Sequence, residues 1–284
     1  MASRVLAPRR GGGIESREEG DVDGGWGVIL RAWHYVASTI AFGLFGIGGL
    51  LLPLLVFPRL RALPGSREQG QIRCQRAVQW TFRTYLAIIE ALGVIRMRVS
   101  GAAELREPGQ LVVANHPTLL DAVFLIALMP QADCVAKQST WSNPFMRGVV
   151  TATGYLSNEL GVELVEACAE RLRAGRTVLL FPEGTRSPKG ALGPFRRGAA
   201  HLALRSGRPL RTVVLTCRPP ALMRGRRWWQ MPTERLLIDV DARATLDPRD
   251  WAEPGASRGV AVRRLSAALR DYYAKALQRI DARG

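Results

Sequence analysis

The sequence is poor in lysine, histidine and cysteine, and each scarcity closes off a class of function. Lys137, Lys189 and Lys275 are the only lysines among 40 basic residues, so the basic character is almost wholly arginine. Three histidines leave little room for a His-rich metal site. The four cysteines stand singly at positions 74, 134, 168 and 217 with no Cys-x-x-Cys pair. That excludes a disulfide-stapled secreted module and a thiolate zinc centre, and suits a reducing compartment. Neither a metal nor a bound cofactor is expected. No Gly-x-Ser-x-Gly elbow follows directly on a β-rich run, so no serine nucleophile of the hydrolase kind is signposted.

What the chain does have is charge of one sign. Its 284 residues carry a net charge of +16, while 47% hydrophobic content is enough to build a core. Such a surface suits a polyanion: nucleic acid, anionic lipid or an acidic protein. An uncharged run decides among them. Residues 35–57 form 23 consecutive positions without an ionisable acid or lysine/arginine. As a helix this is about 35 Å long, against about 30 Å for a bilayer core. It is too long, and starts too far into the chain, for a cleaved signal peptide. Gly43, Gly46, Gly48, Gly49 and Pro53 allow either a spanning helix or one that dips into a leaflet and returns. Arginines are denser after the run (Arg59, Arg61, Arg67, Arg73, Arg76, Arg83) than before it. This places the main domain on the cytoplasmic side, at a bacterial inner membrane.

Three regions follow. Residues 1–25, with the Gly11-Gly12-Gly13 run, read as a flexible tail. Residues 26–94 read as a membrane anchor and an amphipathic helix over 71–94, which could lie on the interface or face a core. Residues 95–284 alternate short β-rich runs (95–99, 111–114, 134–136, 177–181, 212–216, 236–240) with helical periodicity (119–128, 162–172, 197–204, 260–280). This predicts an α/β fold, a largely parallel or mixed sheet flanked by helices, with an N-terminal membrane-embedded helical segment.

Two constellations carry chemistry where strands end. After 111–114 comes Asn115-His116-Pro117-Thr118-Leu119-Leu120-Asp121. An acid five residues beyond the histidine, one helical turn inside, can accept the Nδ1 proton, leave Nε2 as a base and stabilise the imidazolium. After 177–181 comes Pro182-Glu183-Gly184-Thr185-Arg186-Ser187, which presents a carboxylate, a hydroxyl and a guanidinium together. Arg186 offers a planar fork for phosphate, and Glu183 could hold an acceptor hydroxyl or orient Arg186.

Together, the His-x4-Asp run and Phe181-Pro182-Glu183-Gly184-Thr185-Arg186-Ser187 resemble the glycerolipid (lysophospholipid) acyltransferase family, over roughly residues 75 to 245. The run 195–200 and Lys137 support the likeness. The resemblance implies that His116 deprotonates an acceptor hydroxyl, that Asp121 orients and balances it, and that the alkoxide attacks an acyl thioester, with no acyl-enzyme. It implies an acceptor-binding set of Glu183, Gly184, Thr185 and Arg186, joined by Lys137 and by Asn115 beside the histidine. The implied partners are a phospholipid membrane, acyl-CoA or acyl carrier protein as co-substrate, and a lyso-lipid acceptor, with no nucleic acid. One position departs: Asn158 stands where many members carry a phosphate-binding arginine. A non-phosphate lipid or a hydroxyl on a specialised acyl chain is therefore an alternative acceptor. A thioesterase, or a lipid-binding protein without catalysis, is the alternative of another class. The stretch 222–229, with Arg224, Arg226 and Arg227 beside Trp228 and Trp229, suits an anionic membrane interface.

Overall fold

Every residue of the strand β2 (Leu111–Ala114) is buried, and its side chains alternate between two cores, Leu111 and Val113 to one and Val112 and Ala114 to the other. A short unbroken apolar run is what a central strand covered on both faces requires. In the computed structural model, which describes residues 23–188, 191–225, 232, 234–252 and 257–282, β2 is the middle of a seven-stranded sheet. Its order is β1 (Ile95–Ser100), β7 (Leu236–Leu246), β6 (Leu210–Arg218), β2, β5 (Val178–Leu180), β3 (Asp133–Ala136), β4 (Leu156–Ser157). All neighbours are parallel except β6 and β7, which are antiparallel. The predicted mixed sheet flanked by helices is the fold observed. Residues 1–22 of the expected tail lie outside the described residues.

Helices α6 (Val162–Arg173), α7 (Gly198–Ser206) and α8 (Arg258–Asp281) cover one face. There Tyr273 of α8 donates its hydroxyl to the Val113 carbonyl at 2.6 Å and accepts the Val213 N–H at 3.2 Å, bridging β2 and β6. The other face carries α1 (Asp23–Leu51), α2 (Phe57–Ala62), α3 (Arg67–Ala91), α4 (Asp121–Leu128) and α5 (Pro144–Thr153). A capping box starts α3: Ser66 Oγ accepts the Gln69 N–H, and Gln69 Oε1 accepts the Ser66 N–H. Val78, Leu86 and Ile89 then bury its apolar stripe in the same core as Val112 and Ile238. The division drawn at residue 94 therefore separates stretches of sequence, not packed bodies. Of the two readings of 71–94, the structure takes the core-facing one.

From Val28 to Ala62 the chain is one apolar helical rod, the single helix among the described residues long and apolar enough to cross a membrane. A π-turn at Leu52–Val56 interrupts it at Pro53, which has no N–H to continue the α ladder. Only 17% of its most apolar window is buried. The buried side docks on α5 by close approach. A Cβ on Gly49 would stand 2.4 Å from the Phe145 carbonyl oxygen, and one on Gly148 would stand 2.5 Å from the Pro53 ring. At the start of β3, fully buried Asp133 accepts from Arg176 Nε (2.7 Å) and Nη2 (2.6 Å), from Arg171 (2.5 Å) and from Gln75 of α3 (2.9 Å). That node ties α3 and α6 to the sheet.

Candidate active site

Where β2 ends, the side chain of Asn115 continues its pairing with β6. The amide donates to the Leu215 carbonyl at 2.9 Å and its oxygen accepts the Leu215 N–H at 2.7 Å. With both ends engaged and 2% exposure, the Asn115 side chain stands in for a strand residue and frees the backbone to turn at His116.

His116 donates Nδ1–H to Asp121 Oδ2 at 2.7 Å. Asp121, 1% exposed, is the first residue of α4 rather than one turn inside a longer helix. Its Oδ2 also accepts the Thr118 N–H at 2.7 Å, and its Oδ1 accepts the Thr118 hydroxyl at 2.6 Å. Three donors hold the carboxylate, so the imidazole is fixed in the tautomer with Nε2 as base. The ring lies against Phe181 at 4.3 Å between centroids, inclined 26°, so it cannot swing toward the sheet.

Glu183 sits beside the dyad but turns inward. Its Oε1 accepts the His116 N–H (3.0 Å) and the Ser187 hydroxyl (2.8 Å), and its Oε2 accepts the Gly193 N–H (2.8 Å). At 4% exposure it does not touch Arg186, so of its two expected tasks the orienting of that guanidinium is not seen. Its hydrogen bonds fix the backbone of the histidine relative to the Pro-Glu-Gly turn. Gly184, at φ +66°, follows in the left-handed region, where a Cβ would stand 2.8 Å from Arg196 Nε.

His116 opens onto a cavity of about 950 Å³ whose wall is drawn from α1, α3, α4, α5, β3 and the 181–186 turn. Gly43 and Ile47 of α1, Phe82 of α3, Ile126 of α4 and Val150 of α5 make it apolar at depth. At its mouth stand Lys137, just past β3, with Gly184, Thr185, Arg186 and Asn158. Arg186 is half-buried, and its Nη1 donates to the carbonyls of Leu222 (3.0 Å) and Met223 (3.2 Å), leaving Nε and Nη2 for a ligand. Asn158 accepts the Gln138 N–H at 3.2 Å. Of the 222–229 stretch, Leu222, Met223 and Arg224 belong to the loop that Arg186 clamps, and Arg226, Arg227, Trp228 and Trp229 lie outside the described residues.

Sequence reasoning missed α5 and the cavity wall it provides. A signal was present, since Asn143 caps the helix by accepting the Phe145 N–H at 3.0 Å, Pro144 occupies its first turn and Gly154 closes it at φ +67°. Cys134 lines the cavity, but burial pushes its thiol up to about 12, and Cys217, near Asp121, rises by burial to about 11. Neither is a thiolate nucleophile at neutral pH. Among the described residues no cluster of three or more His, Cys, Asp or Glu could hold a metal.

The acyltransferase family model matches residues 96–216, from β1 to β6. A 1-acyl-sn-glycerol-3-phosphate acyltransferase of Helicobacter pylori is 35% identical over 37% of this chain and 48% of its own. A 1-acyl-sn-glycerol-3-phosphate acyltransferase alpha of Ovis aries is 30% identical over 47% of this chain and 50% of its own. The chain thus spans about half the length of these two curated relatives. A 1-acyl-sn-glycerophosphate (LPA) acyltransferase structure from Thermotoga maritima superposes with a TM-score of 0.62 at 16% identity, covering 90% of this chain and 98% of that one. That superposition concerns the fold alone.

Proposed function

We propose that the chain, whose residues 96–216 match the acyltransferase family model, moves a fatty acyl group from an acyl thioester, acyl-CoA or acyl carrier protein, to the hydroxyl of a 1-acylglycerol-3-phosphate-like lysophospholipid. The observation that carries this reading is the His116–Asp121 pair at the mouth of an apolar cavity flanked by two cations, Lys137 and Arg186. The cavity holds the acyl chain, and the cations receive the acceptor phosphate. His116 Nε2 removes the proton from the acceptor hydroxyl, and the oxygen forms a bond to the thioester carbon. The carbon–sulfur bond then breaks, and the imidazolium returns its proton to the departing thiolate. Asp121 stays ionised throughout and stabilises the imidazolium.

The membrane is the proposed source of the acceptor. Along the rod, Ile29, Val36 and Leu54 present apolar side chains outward, Leu54 at 68% exposure. Leu119 and Phe145, both exposed, belong at once to this outer surface and to the cavity wall. An apolar face continuous with a cavity rim suits a bilayer from which a lipid enters sideways. The arginines after the rod support a catalytic domain on the cytoplasmic side of a bacterial inner membrane.

The test uses purified full-length protein and His116→Ala with labelled acyl-CoA and acyl carrier protein against a panel of lyso-lipids, products being read by mass. Ester formed by the parent and lost in the variant supports the proposal. A preference for acceptors without phosphate would assign the neutral Asn158 to acceptor choice. Free fatty acid without new ester would mean hydrolysis.

A further inference from the structure

The run 195–200 brings a third cation to the cavity mouth. Arg196 is tied to the Pro-Glu-Gly turn through its backbone, its N–H donating to the Pro182 carbonyl at 2.7 Å. Its side chain then lies over Gly184: a Cβ on that glycine would stand 2.8 Å from Arg196 Nε, 3.1 Å from its Cδ and 3.3 Å from its Cζ. Gly184 belongs to the cavity wall and Arg196 does not, so the guanidinium rests on the rim, outside the apolar depth. A side chain at position 184 would hold it off.

No carboxylate answers this charge. Other arginines around the sheet are paired, Arg205 with Glu166 at 3.0 Å and Arg211 with Glu107 at 3.1 Å, whereas Arg196 is exposed and has no acid partner among the described residues. Glu183, next to Gly184 in the chain, is spent on the His116 N–H, the Ser187 hydroxyl and the Gly193 N–H. Among the described residues that line the cavity there is no aspartate or glutamate. Lys137, Arg186 and Arg196 thus make a mouth of one sign, and cations gathered without a counter-charge favour an anionic ligand. Arg186 keeps Nε and Nη2 for it. The non-bridging oxygens of a phosphate ester can take two guanidinium groups at once.

We propose that Arg196 is a further substrate-binding residue, which shares one substrate phosphate ester with Arg186 at the cavity mouth. This rests on the acyl-transfer reading of the site. The phosphate is that of the acceptor headgroup or that of the donor's pantetheine arm, and the experiment separates the two.

The test compares the full-length protein with Arg196→Gln and with Arg208→Gln, an equal loss of charge beyond the other end of α7. KM and kcat are measured with a 1-acylglycerol 3-phosphate or the same monoacylglycerol without phosphate as acceptor, and with acyl-CoA or a phosphate-free acyl-N-acetylcysteamine thioester as donor. Arg196→Gln should raise KM for one phosphate-bearing substrate by roughly tenfold with kcat little changed, the low end for a hydrogen bond to a charged group because the residue is exposed. Arg208→Gln should leave both constants where they are. A rise seen with the 1-acylglycerol 3-phosphate and absent with the monoacylglycerol assigns the phosphate to the acceptor. A rise seen with acyl-CoA and absent with the N-acetylcysteamine thioester assigns it to the donor. Unchanged KM for both phosphate-bearing substrates, an equal rise with the phosphate-free ones, or an equal rise in Arg208→Gln overturns the proposal. If the parent turns over no pair, the acyl-transfer reading fails instead. Calorimetric titration with a soluble short-chain 1-acylglycerol 3-phosphate and with CoA then decides alone: weaker binding of either by Arg196→Gln, and not by Arg208→Gln, upholds the phosphate site, and equal or absent binding sinks it.

Discussion

Replacing Asp121 by asparagine separates two tasks that a carboxylate beside a histidine performs at once. In this site Oδ2 faces two N–H donors, from Thr118 and from His116 Nδ1, while Oδ1 faces only the Thr118 hydroxyl. An amide must put its NH₂ on one side. Placed at Oδ2 it would confront the fixed Thr118 backbone N–H; placed at Oδ1 it meets a hydroxyl that can rotate to accept. The carbonyl oxygen therefore stays toward His116, and Nε2 remains the base. What is lost is the negative charge. Hydrogen bonds to charged partners are worth about 1.5–3 kcal/mol and neutral ones about 0.5–1.5. With the imidazolium deprived of its counter-charge as well, the transition state loses about 1.5–3 kcal/mol, or roughly 10- to 200-fold in kcat. Where an amide imposes the wrong tautomer on a catalytic imidazole, the loss is on the order of 10⁴. Single-turnover acyl transfer by Asp121→Asn, with the thermal midpoint measured alongside, tells these apart. A loss near 10⁴ at unchanged midpoint would show that Thr118 does not set the amide, and a loss under about threefold would remove His116 from the chemistry. Asp121→Ala strands both Thr118 donors and should lower the midpoint and the rate together.

Glu183→Gln faces a backbone N–H, of Gly193 or of His116, whichever way its amide turns, and should cost about 1–3 kcal/mol of stability in denaturant unfolding, with a fall in kcat. Arg176→Met leaves fully buried Asp133 with one guanidinium, Arg171, and the neutral amides of Gln75 and Gln131, and unfolding should show a loss of about 3 kcal/mol. Gly43→Leu fills open space on the cavity wall, so a competing mixture of acyl-CoAs should shift toward shorter chains, and an unshifted length profile would remove α1 from the wall. Cys134 and Cys168 are held protonated by burial to about 12 and Cys217 to about 11, against 9.0 unburied. The unfolded chain releases those protons first, so stability should fall as pH rises from about 9 toward 11, and a midpoint flat across that window would show the thiols ionising as freely folded as unfolded.

The strands and both loops were legible because their signals are local: an apolar run fully covered on two faces, then a histidine or a Pro-Glu-Gly turn at its end. The task of Glu183 was not, because its donors lie 67 residues before it at His116 and ten after it at Gly193. Asn115 hid its role for the same reason, since Leu215 is a hundred residues away. The two-residue β4 has no periodicity to read and exists only because β3 offers it an edge. The cavity was invisible in principle: its walls come from six separated stretches, and the sequence shows each as ordinary core.

The apolar rod has two sides with two duties, and this bears on how the protein can be handled. Shaving off residues up to 62 to obtain a more tractable preparation would remove Gly43, Gly46, Ile47 and Leu50 from the cavity and uncover Phe145 and Gly148. The remaining chain would keep His116 and Asp121 but lose the α1 wall of the cavity. The exposed apolar face and the cavity wall are one piece of polypeptide, so neither can be exchanged or lengthened without altering the other.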